Sequence, residues 1–199
     1  MQKIHFILFI LFFIWITGFN PILSQEKYSI DTNESSIKWT GEKFAGIHYG
    51  KINIIEGVLL LMNRKITGGH FVVDMTSIEI DDLEKDKWYD KFLKHLNSES
   101  FFDTEKHTKS YLSINKTKVL TDSTSKIFAT LEIKEIKNNI EFIASYSFKN
   151  DAIHAKTKLI IDRKKYNIGY GDENIFDKIG DGFLYDEFSL EINIISKQR

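Results

Sequence analysis

At 199 residues, with a formal net charge of −1 and no cysteine, the chain excludes several classes at once. Near-neutral charge supplies no basic footprint for nucleic acid. Without cysteine there can be no disulfide, no thiolate metal site and no lipid-modified cysteine at the N-terminus.

The chain opens on Lys3 and then an unbroken apolar run of 11 residues, Phe6 to Ile16, ended by Thr17, Gly18 and Asn20-Pro21. This is the pattern of a secretory signal peptide. The run is too short for a membrane-spanning helix, which needs about 20 apolar residues. Residues 1–24 therefore read as a signal peptide cleaved near Ser24, and residues 25–199 as one domain exported to the periplasm or beyond the cell. An uncleaved anchor is the alternative, because the basic segment is thin and no A-x-A site is present. A domain of this size buries roughly 70% of the surface its unfolded chain exposes, enough to stand without disulfides.

Beyond the leader the sequence reads as strands. Tyr28–Asp31 is short, and Asn33-Glu34-Ser35 is turn material. Ser36–Lys43 alternates weakly, and Gly46 and Gly50 bracket His48, marking a bend or a close backbone approach. Lys51–Met62 is a long strand interrupted by Gly57, where a bulge is expected. After Asn63-Arg64-Lys65, the segment Lys65–Ile80 places Phe71, Val73 and Met75 on one face.

A helical pattern then breaks the series between Asp81 and Asp103. Trp88, Phe92 and Leu96 recur at i, i+4 and i+8, Tyr89 and Leu93 fill the neighbouring stripe, and Lys85, Lys87, Lys91 and Lys94 form a wet face. Asp81 or Asp82 is the expected cap and Asn97-Ser98 the stop. Strands resume at Ser110–Val119 and Lys126–Ile136. Asn138-Asn139 and Asn150-Asp151 read as hairpin turns, since asparagine tolerates positive φ. Ile140, Phe142, Ala144, Tyr146 and Phe148 share a face, as do Ile153, Ala155, Thr157, Leu159 and Ile161. A glycine-rich aromatic loop, 166–182, precedes a last strand with Leu184, Phe188, Leu190, Ile192 and Ile194 on one side.

About eight antiparallel strands, each with one apolar face, must hide those faces against one another. An up-and-down barrel does this and leaves no open sheet edge. A sandwich is the competing architecture, but strands of ten or more residues favour a tall barrel. The expected fold is all-β with one helical insertion. Its interior is either filled by side chains or holds one small ligand.

The residues also carry a family pattern. Trp39-x-Gly41-x-Lys43-x-x-Gly46-x-His48-x-Gly50, Gly57 and Gly68-Gly69-x-Phe71-x-x-Asp74-Met75 are followed by His95-Leu96-x-Ser98-x-x-Phe101-Phe102-Asp103. Arg163-x-x-Tyr166-x-Ile168-x-Tyr170-Gly171 and Phe176-Asp177 complete the series. In this order they resemble the YceI-like family over nearly the whole exported domain. The sequence departs at His107-Thr108, where that family has an aromatic-proline pair, and the Gly-x-Trp signature of ordinary lipocalins is absent. The resemblance implies a lipocalin-like barrel, exported from a bacterial cytoplasm, that binds a long polyisoprenoid such as a quinone tail or prenyl lipid for transport, storage or sensing.

Candidate ligand-lining residues are Phe71, Val73, Phe102, Phe128, Leu131, Phe142, Tyr146, Leu159 and Phe188, with Trp39, Phe44, His48 and Tyr166. Each has an ordinary core role as its alternative, since every small barrel has apolar inner faces. His48, His70, His95, His107 and His154 lack metal-ligand spacing. His48, held between glycines, is a candidate head-group contact, with a structural hydrogen bond as the alternative. Asp74 and Arg163 stand in apolar strands and read as rim pairs or as head-group recognition. No nucleophile, phosphate-loop or zinc-hydrolase motif is present, so no enzyme activity and no cofactor are expected. Two rival readings are an interaction or stress-response module with a filled interior, and a metal-dependent enzyme on the same barrel. Whether the chain is a monomer or a homodimer is open.

Overall fold

The computed structural model describes residues 24–43, 46–169 and 184–198. The leader, Phe44 and most of the 166–182 loop lie outside the described residues. The elements run β1 (Glu26–Ile30), β2 (Ser36–Lys43), β3 (Gly46–Met62), β4 (Lys65–Ile80), α1 (Lys87–Asn97), β5 (Lys109–Val119), β6 (Thr124–Ile133), β7 (Ile136–Lys149), β8 (Ala152–Asp162), a 3-10 turn (Arg163–Tyr166) and β9 (Leu184–Gln198).

From β2 to β9 every strand pairs antiparallel with its sequence neighbour, and β9 returns to pair with β2. The result is a closed up-and-down barrel of eight positions. The ninth strand adds no position. β1 and β2 occupy one slot end to end, β1 pairing with Val58–Leu61 of β3 and with the end of β9, and β2 pairing farther along both. The Asp31 carboxylate turns the chain at the break by accepting from the Asn33 and Glu34 N–H groups. Beside it the Ser35 hydroxyl both donates to the Ile195 carbonyl and accepts from its N–H, so the sheet stays satisfied across the gap.

Alternation decides what faces inward. In β6, Ser125, Ile127, Ala129, Leu131 and Ile133 are buried while the residues between them are half-buried. In β8, Ile153, Ala155, Leu159 and Ile161 are buried against exposed Lys156 and Lys158. At the end away from α1 the interior is solid: Leu61 and Ile153 are 0% exposed, Ile66 is 2%, and the Arg64 guanidinium lies 3.9 Å over the Phe148 ring.

Three local expectations are corrected. The β6–β7 hairpin turns at Lys134-Glu135, both with positive φ, and not at Asn138-Asn139, which pair within the sheet with Leu131 and Thr130. The helix starts later than expected. Its cap is Asp86, whose carboxylate accepts from the Trp88 and Tyr89 N–H groups. Trp88 is half exposed, with the Lys87 and Lys91 ammonium groups over its ring, and the buried helical residues are Tyr89, His95 and Leu96.

Tyr166 is 1% exposed, and burial pushes its phenol up to about 12 from an ordinary 10.0. Because the folded state holds this proton more tightly, the stabilisation is complete below about pH 10 and is lost as pH rises toward about 12. Denaturant titrations across that window should show wild type losing up to about 3 kcal/mol more than Tyr166→Phe. Parallel losses in the two proteins would contradict this role.

Candidate functional site

The inner faces do not fill the half of the barrel nearer α1. Two apolar cavities lie in series along the axis, of about 150 Å3 and about 100 Å3. The upper one lies under the helix. Its wall includes Trp39, Ile52, Met75, Ile78 and Phe188 from the strands, and Phe92, His95 and Leu96 from α1. The lower one is bounded by Ile54, Phe71, Leu112, Ile114, Ile127, Phe142 and Leu159. Ile37, Val73, Leu131 and Leu190 belong to both walls and form the waist between them.

Why α1 covers this end follows from its ties. After β4 the Asp82 carboxylate accepts from the Tyr49 N–H at 2.9 Å and sits 2.6 Å from His48 Nδ1. A carboxylate only accepts, so the imidazole donates here. The His48 ring in turn packs on Phe92 of the helix, centroids 4.5 Å apart. Beyond the helix Phe101 lies 5.1 Å from the His95 ring and meets Phe102 edge-on, and Phe102 meets Phe188 in the same way. Such edge-to-face pairs add to the stabilisation from area burial. The Lys134 ammonium, carried by the β6–β7 turn, donates to the carbonyls of Glu99, Phe101 and Asn167. Burial lowers its pKa. One side chain thus ties the segment after the helix to the corner after β8.

Of the sequence-based candidates, Trp39, His48, Val73, Phe102, Leu131 and Phe188 stand on the upper wall, and Phe71, Val73, Leu131, Phe142 and Leu159 on the lower. Trp39 also donates from Nε1 to the Glu79 carbonyl at 3.1 Å. Three candidates stand elsewhere. Phe128 has the parity of Lys126 and Thr130 and lies on the outer face, under the Lys126 ammonium. Tyr146 is packed toward the solid end, its hydroxyl 3.2 Å from that of Ser125. Tyr166 is buried in the corner after β8 and reaches neither cavity. Phe44 lies outside the described residues.

Asp74 and Arg163 turn out to have local duties. The Asp74 carboxylate accepts from the N–H and hydroxyl of Thr76, where the register of β4 against β3 shifts. Arg163 touches the upper wall, but its Nη1 donates to the Ile168 and Gly169 carbonyls, and Nε donates to that of Tyr185. Among the described residues no three His, Asp or Glu side chains are grouped as a metal site.

Lining residues that the sequence reading left out include Phe92, His95, Leu190 and Ser110. Strand parity could have found Ser110, which precedes inward-facing Leu112 and Ile114 by two and four residues.

The arrangement is a pair of chambers whose walls, among the described residues, are almost entirely apolar. The YceI-like domain model matches residues 28–195, and a search of the curated proteins finds no significant match. Among solved structures, BcnA of Burkholderia cenocepacia superposes with a TM-score of 0.65 at 13% identity, covering 83% of this chain and 98% of that one. A domain from Saccharophagus degradans, described as polyisoprenoid-binding and implicated in plant cell wall breakdown, gives 0.64 at 11% identity, covering 86% and 98%. A YceI protein of Campylobacter jejuni gives 0.53 at 15%, covering 68% and 74%. At such identities the solved structures speak for the fold alone, but the domain model spans the barrel from β1 into β9, and the chain belongs to the YceI-like family.

Proposed function

We propose that this protein binds a polyisoprenoid or similar lipid, an isoprenoid quinone included, by enclosing its hydrocarbon in the barrel, and that it is no enzyme. It does so after export through the 1–24 signal peptide, in the periplasm or outside the cell. The observation that carries the reading is the pair of apolar cavities, sharing four wall residues, in the half of the barrel nearer α1. An interaction module with a vestigial cavity would have a filled interior. The polyisoprenoid-binding description of the Saccharophagus degradans relative supports the ligand class. Burial supplies the affinity, at about 0.8 kcal/mol per enclosed CH2 before the cost of ordering the chain.

The test is native mass spectrometry of protein expressed with its leader, followed by solvent extraction. The expected result is a stoichiometric prenyl lipid or quinone on a chain whose N-terminus lies near Ser24. An empty protein that also fails to retain added isoprenoids would overturn the binding role, and an intact leader on a cytoplasmic protein would overturn export.

A further inference from the structure

Resting on the lipid-binding reading, we infer that the barrel has a side port: hydrocarbon passes in and out of the lower chamber through a seam between β7 and β8. The ladder between these strands runs only from Lys149↔Ala152 to Ser145↔Lys156. Both strands continue well past it. β7 stays paired with β6 over Ile136–Ser145, and β8 with β9 over Ala152–Asp162. Two facing edges, 136–144 and 157–162, are thus left without ladder partners across the seam. Backbone groups on such edges need other partners, and side chains supply two. The Thr157 hydroxyl donates to the Ile143 carbonyl at 2.9 Å where the ladder stops. At the far end Asn138 Nδ2 donates to the Lys165 carbonyl at 2.9 Å. The window lies between these two bonds.

The lower chamber reaches this window. Phe142 and Ala144 from one lip, and Lys156, Thr157 and Leu159 from the other, belong to its wall. Lys156 is exposed, so the chamber's space extends to solvent on that side. Burial along the inward face of β7 falls where the ladder ends: Tyr146 and Ala144 are buried, Phe142 and Ile140 half-buried. On the outside the lips carry Ile143, 59% exposed, and Ile160, 61% exposed, the two most exposed large apolar side chains among the described residues. Single exposed apolar side chains need no explanation, but these two stand on facing lips of one gap beside an apolar chamber. The β4–β5 ladder also stops short of its strands, at Gly69↔Ile114. The wall behind that end is solid, with Ile66 2% exposed, and it offers no passage.

Because the chain has no cysteine, the seam can be stapled cleanly. Ile143→Cys/Ile160→Cys, joined by a short bis-maleimide, would bridge the lips from outside. Lys118→Cys/Lys126→Cys, a facing pair of the β5–β6 ladder, is the control. The probes are farnesol and solanesol, the three- and nine-unit prenols, exchanged with mixed micelles and followed by native mass spectrometry. Closing a route raises the barrier and leaves both end states alone, so the seam staple should slow uptake and release alike, each by about tenfold or more, at unchanged affinity. The control staple should change neither rate. Rates unchanged by the seam staple, or slowed equally by both staples, would overturn the port while leaving lipid binding intact. No retention of either prenol by wild type would overturn the lipid reading itself, and the port with it.

Thr157→Val needs no staple. It removes the donor on the Ile143 carbonyl, keeps the branched side chain, and loosens the end of the seam where the ladder stops. Farnesol uptake and release should both quicken by about two- to tenfold, the worth of one net hydrogen bond. Unchanged rates would place the passage elsewhere and overturn the port. Faster release with unchanged uptake would make Thr157 a wall contact of the bound chain, and would equally overturn its place at a port.

Discussion

Gly50→Ala should lower stability by about 3 kcal/mol, the upper end of what overpacking costs. A Cβ at Gly50 would stand 1.9 Å from the Glu79 carbonyl oxygen, 2.8 Å from its carbon and 2.9 Å from Trp39 Cζ2. Two of those atoms are backbone, so no rotamer change relieves the clash. β4 must move away from β3, and the Trp39 bond to the Glu79 carbonyl moves with it. Next in line are the Tyr49 bonds to Asp81 and Asp82, which start the crossover to the helix. The control is Gly41→Ala, whose Cβ would meet nothing within 4 Å and should change stability by no more than about 0.5–1 kcal/mol. Urea titrations with unchanged slopes would measure both. Equal midpoints for the two variants would refute the close-approach account.

That glycine was legible in sequence as a bend or a close approach, because Gly46 and Gly50 bracket His48. The barrel was legible for a similar reason: period-two alternation in β6, β7 and β8 leaves each strand one apolar face and no other way to hide it. Two of the errors have a common cause. Asn138-Asn139 has the better intrinsic turn chemistry, yet the chain turns at Lys134-Glu135, where the lysine reaches three carbonyls of two other segments. Asn138 is left in the strand, with its amide on the Lys165 carbonyl. Asp82 resembles a helix cap, but His48 and Tyr49, far back in sequence, claim its carboxylate and leave the cap to Asp86. Phe128 shows the opposite weakness, since aromatic character drew attention where parity already pointed outward. Tertiary demand on polar side chains leaves no trace in hydrophobic pattern.

Arg163 tests whether such a group serves the fold or the ligand. Nη1 donates to the Ile168 carbonyl at 2.9 Å and the Gly169 carbonyl at 3.1 Å, and Nη2 lies 3.4 Å from the Asp186 carboxylate. The corner it closes is tight. Asn167 and Gly169 have φ of +52 and +61, Ile168 is 0% exposed, and the Gly169 N–H donates to the Ser100 carbonyl at 2.7 Å. Arg163→Met keeps the aliphatic stem and removes every donor, leaving two inward carbonyls unsatisfied at about 1–3 kcal/mol each. The expected loss is about 3 kcal/mol. Arg163→Lys should recover part of it, because an ammonium lacks the planar fork that serves several acceptors at once. A Cβ at Gly169 would lie 3.3 Å from the Phe101 ring, so this corner also backs the wall of the upper chamber. The measurement is melting with and without farnesol. A structural Arg163 predicts that Arg163→Met melts lower by the same amount in both conditions. If the empty variant matched wild type and only the farnesol-induced rise were lost, the guanidinium would be a ligand contact and the clamp would be wrong.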